Sequence, residues 1–265
     1  MNEEKAPFPF NLIGKMMPAF PMMAVMGWMI VGVALLIGVF VLSPAQTTFF
    51  SDAKAVREGA ATGSAFVQAN VTRHAIAAWV PHFKFFGLGL GLMAIVMALG
   101  TIAKRLRHMG LIITKHMPAD LRPAMPPPPK TVRLFQLGTV MGLMILMITL
   151  IVGIVLAVTI VPDYWNHSIA NDLNTAEVGS GLLSQLGVVS SFAFWLNALR
   201  MVGMASLFTG ISLALMVIIG TLRLQAKLLV GFYRQASGSR EIEPAGAGVR
   251  EPQLKPSPGL AVGSD

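Results

Sequence analysis

Asp163 and His167 stand four residues apart in the stretch DYWNH, a spacing that puts a carboxylate and an imidazole on one face of a helix. His74 and His82 lie in a second polar segment, near the same predicted membrane boundary. Together these four side chains make a nitrogen and oxygen donor set of the kind copper or zinc accepts. The competing reading makes them hydrogen-bonding groups at a lipid–water interface. Lys84 and Arg200 form a second set, each standing where an apolar run begins. A long cationic side chain there can snorkel to headgroups. It can also turn inward to hold an anion, a lipid phosphate or a quinone carbonyl.

The Asp-x-x-x-His spacing at 163–167 is similar to the start of a metal-binding helix in the integral C subunit of copper membrane monooxygenases. That pattern continues with a histidine where this chain has Ser180. The resemblance therefore covers two residues, implies a metal at Asp163 and His167, and assigns no family. Other chemistries are poorly supplied. None of the five histidines, His74, His82, His108, His116 and His167, falls inside an apolar run, which argues against haem held between helices by paired imidazoles. There is no cysteine, hence no disulfide and no thiolate metal site. No glycine-rich phosphate loop and no nucleophile beside a base can be found. No catalytic residue is assigned, and the expected cofactor content is none, with copper or zinc as the exception.

The elements that must position these groups are apolar. Of 265 residues, 54% are hydrophobic and 12% charged, about half the charged fraction of a soluble domain. Four uncharged runs stand out, at 19–43, 85–103, 134–161 and 201–222. A helix needs about 20 apolar residues to cross a bilayer, and lipid leaves no partner for an unpaired backbone amide. The predicted fold is an all-α integral membrane protein of four transmembrane helices, arranged as two tandem hairpins. The first run is too long for a cleaved signal sequence and lacks a convincing cleavage site.

Basic residues set the orientation. Lys104, Arg105, Arg107, Lys115, Arg122, Lys130 and Arg133 crowd the middle connection, whereas 44–81 and 162–199 hold only Lys54, Arg57 and Arg73 among them. Both termini are predicted to be cytoplasmic, in a bacterial inner membrane. The net charge of +8 is then a topology signal, and nucleic acid is excluded as a partner because no aromatic-rich basic module accompanies it. The chain divides into an interfacial arm 1–18, a first hairpin 19–104 with external loop 44–81, and a basic connection 105–133. A second hairpin 134–225 with external loop 162–199 follows, then a tail 226–265 of disordered composition. MPPPPK at 125–130 predicts a stiff extended spacer.

The phrase VMGWMI at 25–30 returns as VMGLMI at 140–145. The pairing extends to Leu35 with Leu150 and Gly38 with Gly153. The second and fourth runs echo each other at an offset of 120, where Gly100-Thr101-Ile102 matches Gly220-Thr221-Leu222. This predicts an internal duplication, its halves related by a pseudo-twofold axis along the membrane normal. Gly87-x-x-x-Gly91, Gly138-x-x-x-Gly142 and Ser206-x-x-x-Gly210 have the small-residue spacing of helix contacts in lipid.

The external loop 44–81 is rich enough in helix formers for its own helix, and Asp172 or Asn174 can cap another leading into the fourth run. Trp79, Tyr164, Trp165 and Trp195 fall near the outer boundary; Trp28 lies within the first run. The runs contain no Asp, Glu or His, which ion and proton pathways need. The functional expectation is a non-catalytic accessory or scaffold subunit of a larger membrane complex, with lipid and other membrane subunits as partners. The alternatives are an oligomeric channel or carrier lined by Thr, Ser and Gly, and a metal-binding component of a membrane oxidoreductase.

Overall fold

The computed structural model describes residues 17–116 and 131–236. Residues 1–16 of the arm, 117–130 of the connection with its proline run, and 237–265 of the tail lie outside the described residues; the connection is helical over 105–116 and the tail over 226–236. All regular structure among the described residues is helical. Four helices are long and apolar enough to span a membrane: α1 (Phe20–Phe49), α2 (Ala65–His116), α3 (Thr131–Trp165) and α4 (Gly181–Ala236).

Proline and glycine punctuate them. Pro21 occupies the first turn of α1, where a missing N–H costs nothing. At Gly38–Leu42 the helix widens by one residue, and the Ser43 N–H reaches the Gly38 carbonyl. Pro44 follows directly; its ring would crowd a regular preceding turn, and the widening makes room. A break at Thr159 precedes Pro162 in α3.

α2 and α4 begin well before the apolar runs at 85–103 and 201–222. The helix expected within the 44–81 loop is in large part the first five turns of α2; only the short helix Lys54–Glu58 stands apart. The reason is local. The turn glycines are Gly63 and Gly179, with φ of 82° and 86°, and after them only Pro81 interrupts good helix-forming sequence in either helix. Ser64 and Ser180 follow the two glycines. Their hydroxyls accept hydrogen bonds from the Val67 and Leu183 amides, the usual N-cap arrangement. The Ser64 N–H meets the Ala61 carbonyl, and the Ser180 N–H meets the Glu177 carbonyl. The cap of α4 is therefore Ser180 rather than Asp172 or Asn174. Asp172 instead accepts the Ser168 N–H at 3.0 Å, within the short turn Ile169–Leu173. Gly179→Ala is expected to cost about 1 kcal/mol, because an L-residue is strained at positive φ; thermal unfolding in detergent measures it.

α2 is the central helix. It packs on α1, α3 and α4, and α3 packs along α4, whereas α1 makes no comparable contact with α3 or α4. Backbones approach closely at glycines. A Cβ on Gly27 would stand 2.6 Å from the Gly87 carbonyl and 2.9 Å from the Gly91 nitrogen; one on Gly142 would stand 2.8 Å from the Gly203 carbonyl. The two glycines paired in the repeated phrase thus each mark a hairpin crossing. Of the small residues singled out by spacing, Gly87, Gly142 and Gly210 leave no space for a Cβ. Gly91 is open, and Gly138 makes only ordinary contact with the Ser206 carbonyl. Leu146 and Leu207 fill the centre at 0% exposure, with Thr149 satisfied by the Leu146 carbonyl at 2.8 Å.

Candidate functional site

Helix register brings the sequence candidates to the end of the bundle that carries the 50–64 and 166–180 connections. His82 is 5% exposed and lies where α2 crosses α3. A Cβ on Gly153 would meet both the His82 Cδ2 and the Ala78 carbonyl at 2.9 Å. Gly153 stands eight residues inside the end of the apolar run 134–161. His82 lies outside the apolar run 85–103, and α2 begins early enough to carry its ring against the outer part of the apolar run in α3, seven residues from the Gly89 that meets Leu146.

Beside it lies a cavity of about 180 Å³ bounded by α2, α3 and α4, its polar lining made by His74, His82, Trp165 and Asn197. The His82 Nδ1 and the Trp165 Nε1 are buried without a hydrogen-bond partner among the described residues. Pro81, also in the wall, has no N–H to offer the Ala77 carbonyl. The cavity is lined by imidazole, indole and carboxamide residues within apolar walls, while the two unpaired nitrogens are themselves sealed from solvent. The lining contains no nucleophile paired with a base.

The other candidates have separate partners. The His74 ring stacks on Trp165, centroids 3.7 Å apart and planes 3° from parallel. Its Nε2 lies 3.1 Å from the Arg73 guanidinium. Arginine only donates, so Nε2 accepts and the ring proton sits on Nδ1. Asp163 accepts a hydrogen bond from the Gln185 amide of α4, and the His167 Nδ1 stands 3.8 Å from Asp172. Among the described residues no three His, Asp or Glu groups gather within reach of one metal ion. Lys84 and Arg200 converge on the Phe85 ring, at 5.9 and 4.3 Å, and neither lines the cavity. Tyr164, expected at a lipid boundary, is buried at 5% exposure.

Sequence reasoning missed Pro81, Asn197 and the roles of Gly153 and Trp165. Asn197 carried a signal, as a carboxamide three residues before Arg200 in otherwise apolar surroundings. A buried polar atom left unpaired costs about 1–3 kcal/mol. His82→Leu is therefore expected to stabilise the ligand-free protein by about 1 kcal/mol, seen as a higher thermal midpoint. Comparison with protein-family models, with characterised proteins and with solved structures finds no match.

Proposed function

We propose that this chain is a non-catalytic accessory subunit of a larger membrane complex, docking on its partner through the uncovered face of α1. Trp28 carries the reading. It neighbours Gly27, which crosses α2 at Gly87 and Gly91, while the adjacent Gly89 meets Leu146 near the middle of the apolar run 134–161. An indole ring prefers the membrane interface, where its N–H finds an acceptor. Here it is 73% exposed at mid-span, and no described residue of the chain accepts from it. Phe40, 71% exposed, lies three turns further along. Lipid tails supply no acceptor, whereas a partner helix can.

In this reading the two hairpins descend from one unit entering the membrane twice in the same direction, with both termini cytoplasmic. Support comes from recurrence at an offset of 116: Gly63-Ser64 and Gly179-Ser180 at the helix starts, then Trp79, Lys84 and Gly87 against Trp195, Arg200 and Gly203. The offset of 120 suggested by Gly100 and Gly220 is four residues out of step with these. A duplicated hairpin leaves equivalent outer surfaces on each half, and only one half covers the other's.

Gentle extraction from the native membrane is expected to yield the chain in fixed stoichiometry with a second polypeptide. Trp28→Ala is expected to weaken that association by at least 30-fold, the loss of a buried aromatic anchor of about 2 kcal/mol. A chain that elutes alone at 28.3 kDa, and is unmoved by the substitution, would refute the reading.

A further inference from the structure

The opposite end of the bundle holds a larger cavity, of about 670 Å³, between α2, α3 and α4. Lys104 and Arg107 reach it from α2, and Arg223 and Lys227 from α4. Spacings of three and four residues put each pair on one helix face. The described acidic residues, Asp52, Glu58, Asp163, Asp172 and Glu177, all belong to the connections and helix ends at the other extreme of the bundle, so none of them pairs with Lys104, Arg223 or Lys227.

One further observation points to a ligand, and another to a fixed arrangement of the cations. Gln136 on α3 is 9% exposed and lines the cavity, yet its carboxamide has no hydrogen-bond partner among the described residues. Its carboxamide atoms are not sealed off, so a group in the cavity can pair with them. The Gln225 amide on α4 donates to the Leu106 carbonyl on α2, fixing the two cationic pairs relative to each other. Toward the bundle centre the walls turn apolar, with Phe135, Met216 and Val217.

We propose that this cavity binds one acidic glycerophospholipid from the adjoining leaflet. Its phosphate sits among Lys104, Arg107, Arg223 and Lys227, where charge-assisted hydrogen bonds are strongest. An ester carbonyl accepts from Gln136, and the first acyl carbons lie along Phe135 and Val217. Basic pockets between spanning helices recognise lipid headgroups by this combination. An inorganic anion would satisfy the cations but fill little of the cavity and leave its apolar walls and Gln136 unmatched.

The test is native mass spectrometry of the full chain in mild detergent, titrated with phosphatidylglycerol, with phosphatidylcholine, and with phosphatidylglycerol in the presence of millimolar inorganic phosphate. Phosphatidylglycerol is expected to bind about tenfold more tightly than phosphatidylcholine and to resist displacement by phosphate. Arg223→Gln with Lys227→Gln should weaken its binding about tenfold. Gln136→Leu should weaken it severalfold without changing any charge. Arg105→Gln, on an exposed neighbour outside the cavity, should leave it unchanged, and equal thermal midpoints establish that the variants are folded. Loss of equal size on Arg105→Gln would overturn the proposal in favour of a diffuse basic rim. Displacement by phosphate would overturn it in favour of a free-anion site, and equal affinity for the two lipids would leave no acidic-lipid site at all.

Discussion

Gly142→Leu is expected to destabilise the protein by about 3 kcal/mol, at the upper end for an overpacked contact. The first atom of any side chain there would lie 2.8 Å from the Gly203 carbonyl and 2.9 Å from the Leu207 Cγ. The carbonyl belongs to helical backbone and cannot rotate away, so α3 and α4 must separate. Separation uncovers Leu146 and Leu207, both at 0% exposure. It also loosens the walls of both cavities, which α3 and α4 share with α2. Gly138→Ala, one turn earlier in the same small-residue pattern, provides the contrast. Its Cβ would stand 3.6 Å from the Ser206 carbonyl, an ordinary contact, and its effect should lie within about 0.5 kcal/mol. Thermal unfolding of the two variants in one detergent separates these outcomes, and equal midpoints would contradict the packing described.

Gly27→Leu should produce an equally severe clash with a different consequence. The substituted Cβ would lie 2.6 Å from the Gly87 carbonyl, so α1 cannot keep its place on α2. But α1 packs along α2 and makes no comparable contact elsewhere, so α2, α3 and α4 keep their mutual contacts. The chain contains no cysteine, which permits spin labels at engineered cysteines on the exposed positions Met22 and Ile95. In Gly27→Leu the distance distribution between these labels should broaden, while the unfolding midpoint of the remaining bundle moves far less than in Gly142→Leu. A midpoint that falls as far in both variants would mean that α1 belongs to the core.

The four apolar helices were legible because length and lack of charge are properties of one segment at a time. The crossing at Gly27 and Gly142 was half legible: the repeated phrase flagged both glycines, but neither spacing nor repetition distinguishes a tight glycine from an open one such as Gly91. That distinction depends on which face meets a neighbour. Helix register was not legible at all. His82 reads as a boundary residue along its own sequence, and only the opposing Gly153 shows that it is buried against α3. The same holds for the basic cavity. Lys104, Arg107, Arg223 and Lys227 are unremarkable as charges flanking apolar runs, and they come to line one cavity because α2 and α4 run side by side in the same direction. The cap at Ser180 was missed because Asp172 and Asn174 cap as well as serine by type, whereas the positive φ of Gly179 decides where the helix can start.

The proposed role requires α1 to offer its outer face to another protein. Site-specific photo-crosslinking in the native membrane tests it most directly, with the reactive group placed at Trp28, at Phe40, or at the buried Leu146. One discrete heteromeric product is expected from positions 28 and 40, and only intramolecular product from position 146. Lipid adducts alone at 28 and 40, with the chain remaining at its monomer mass, would contradict it.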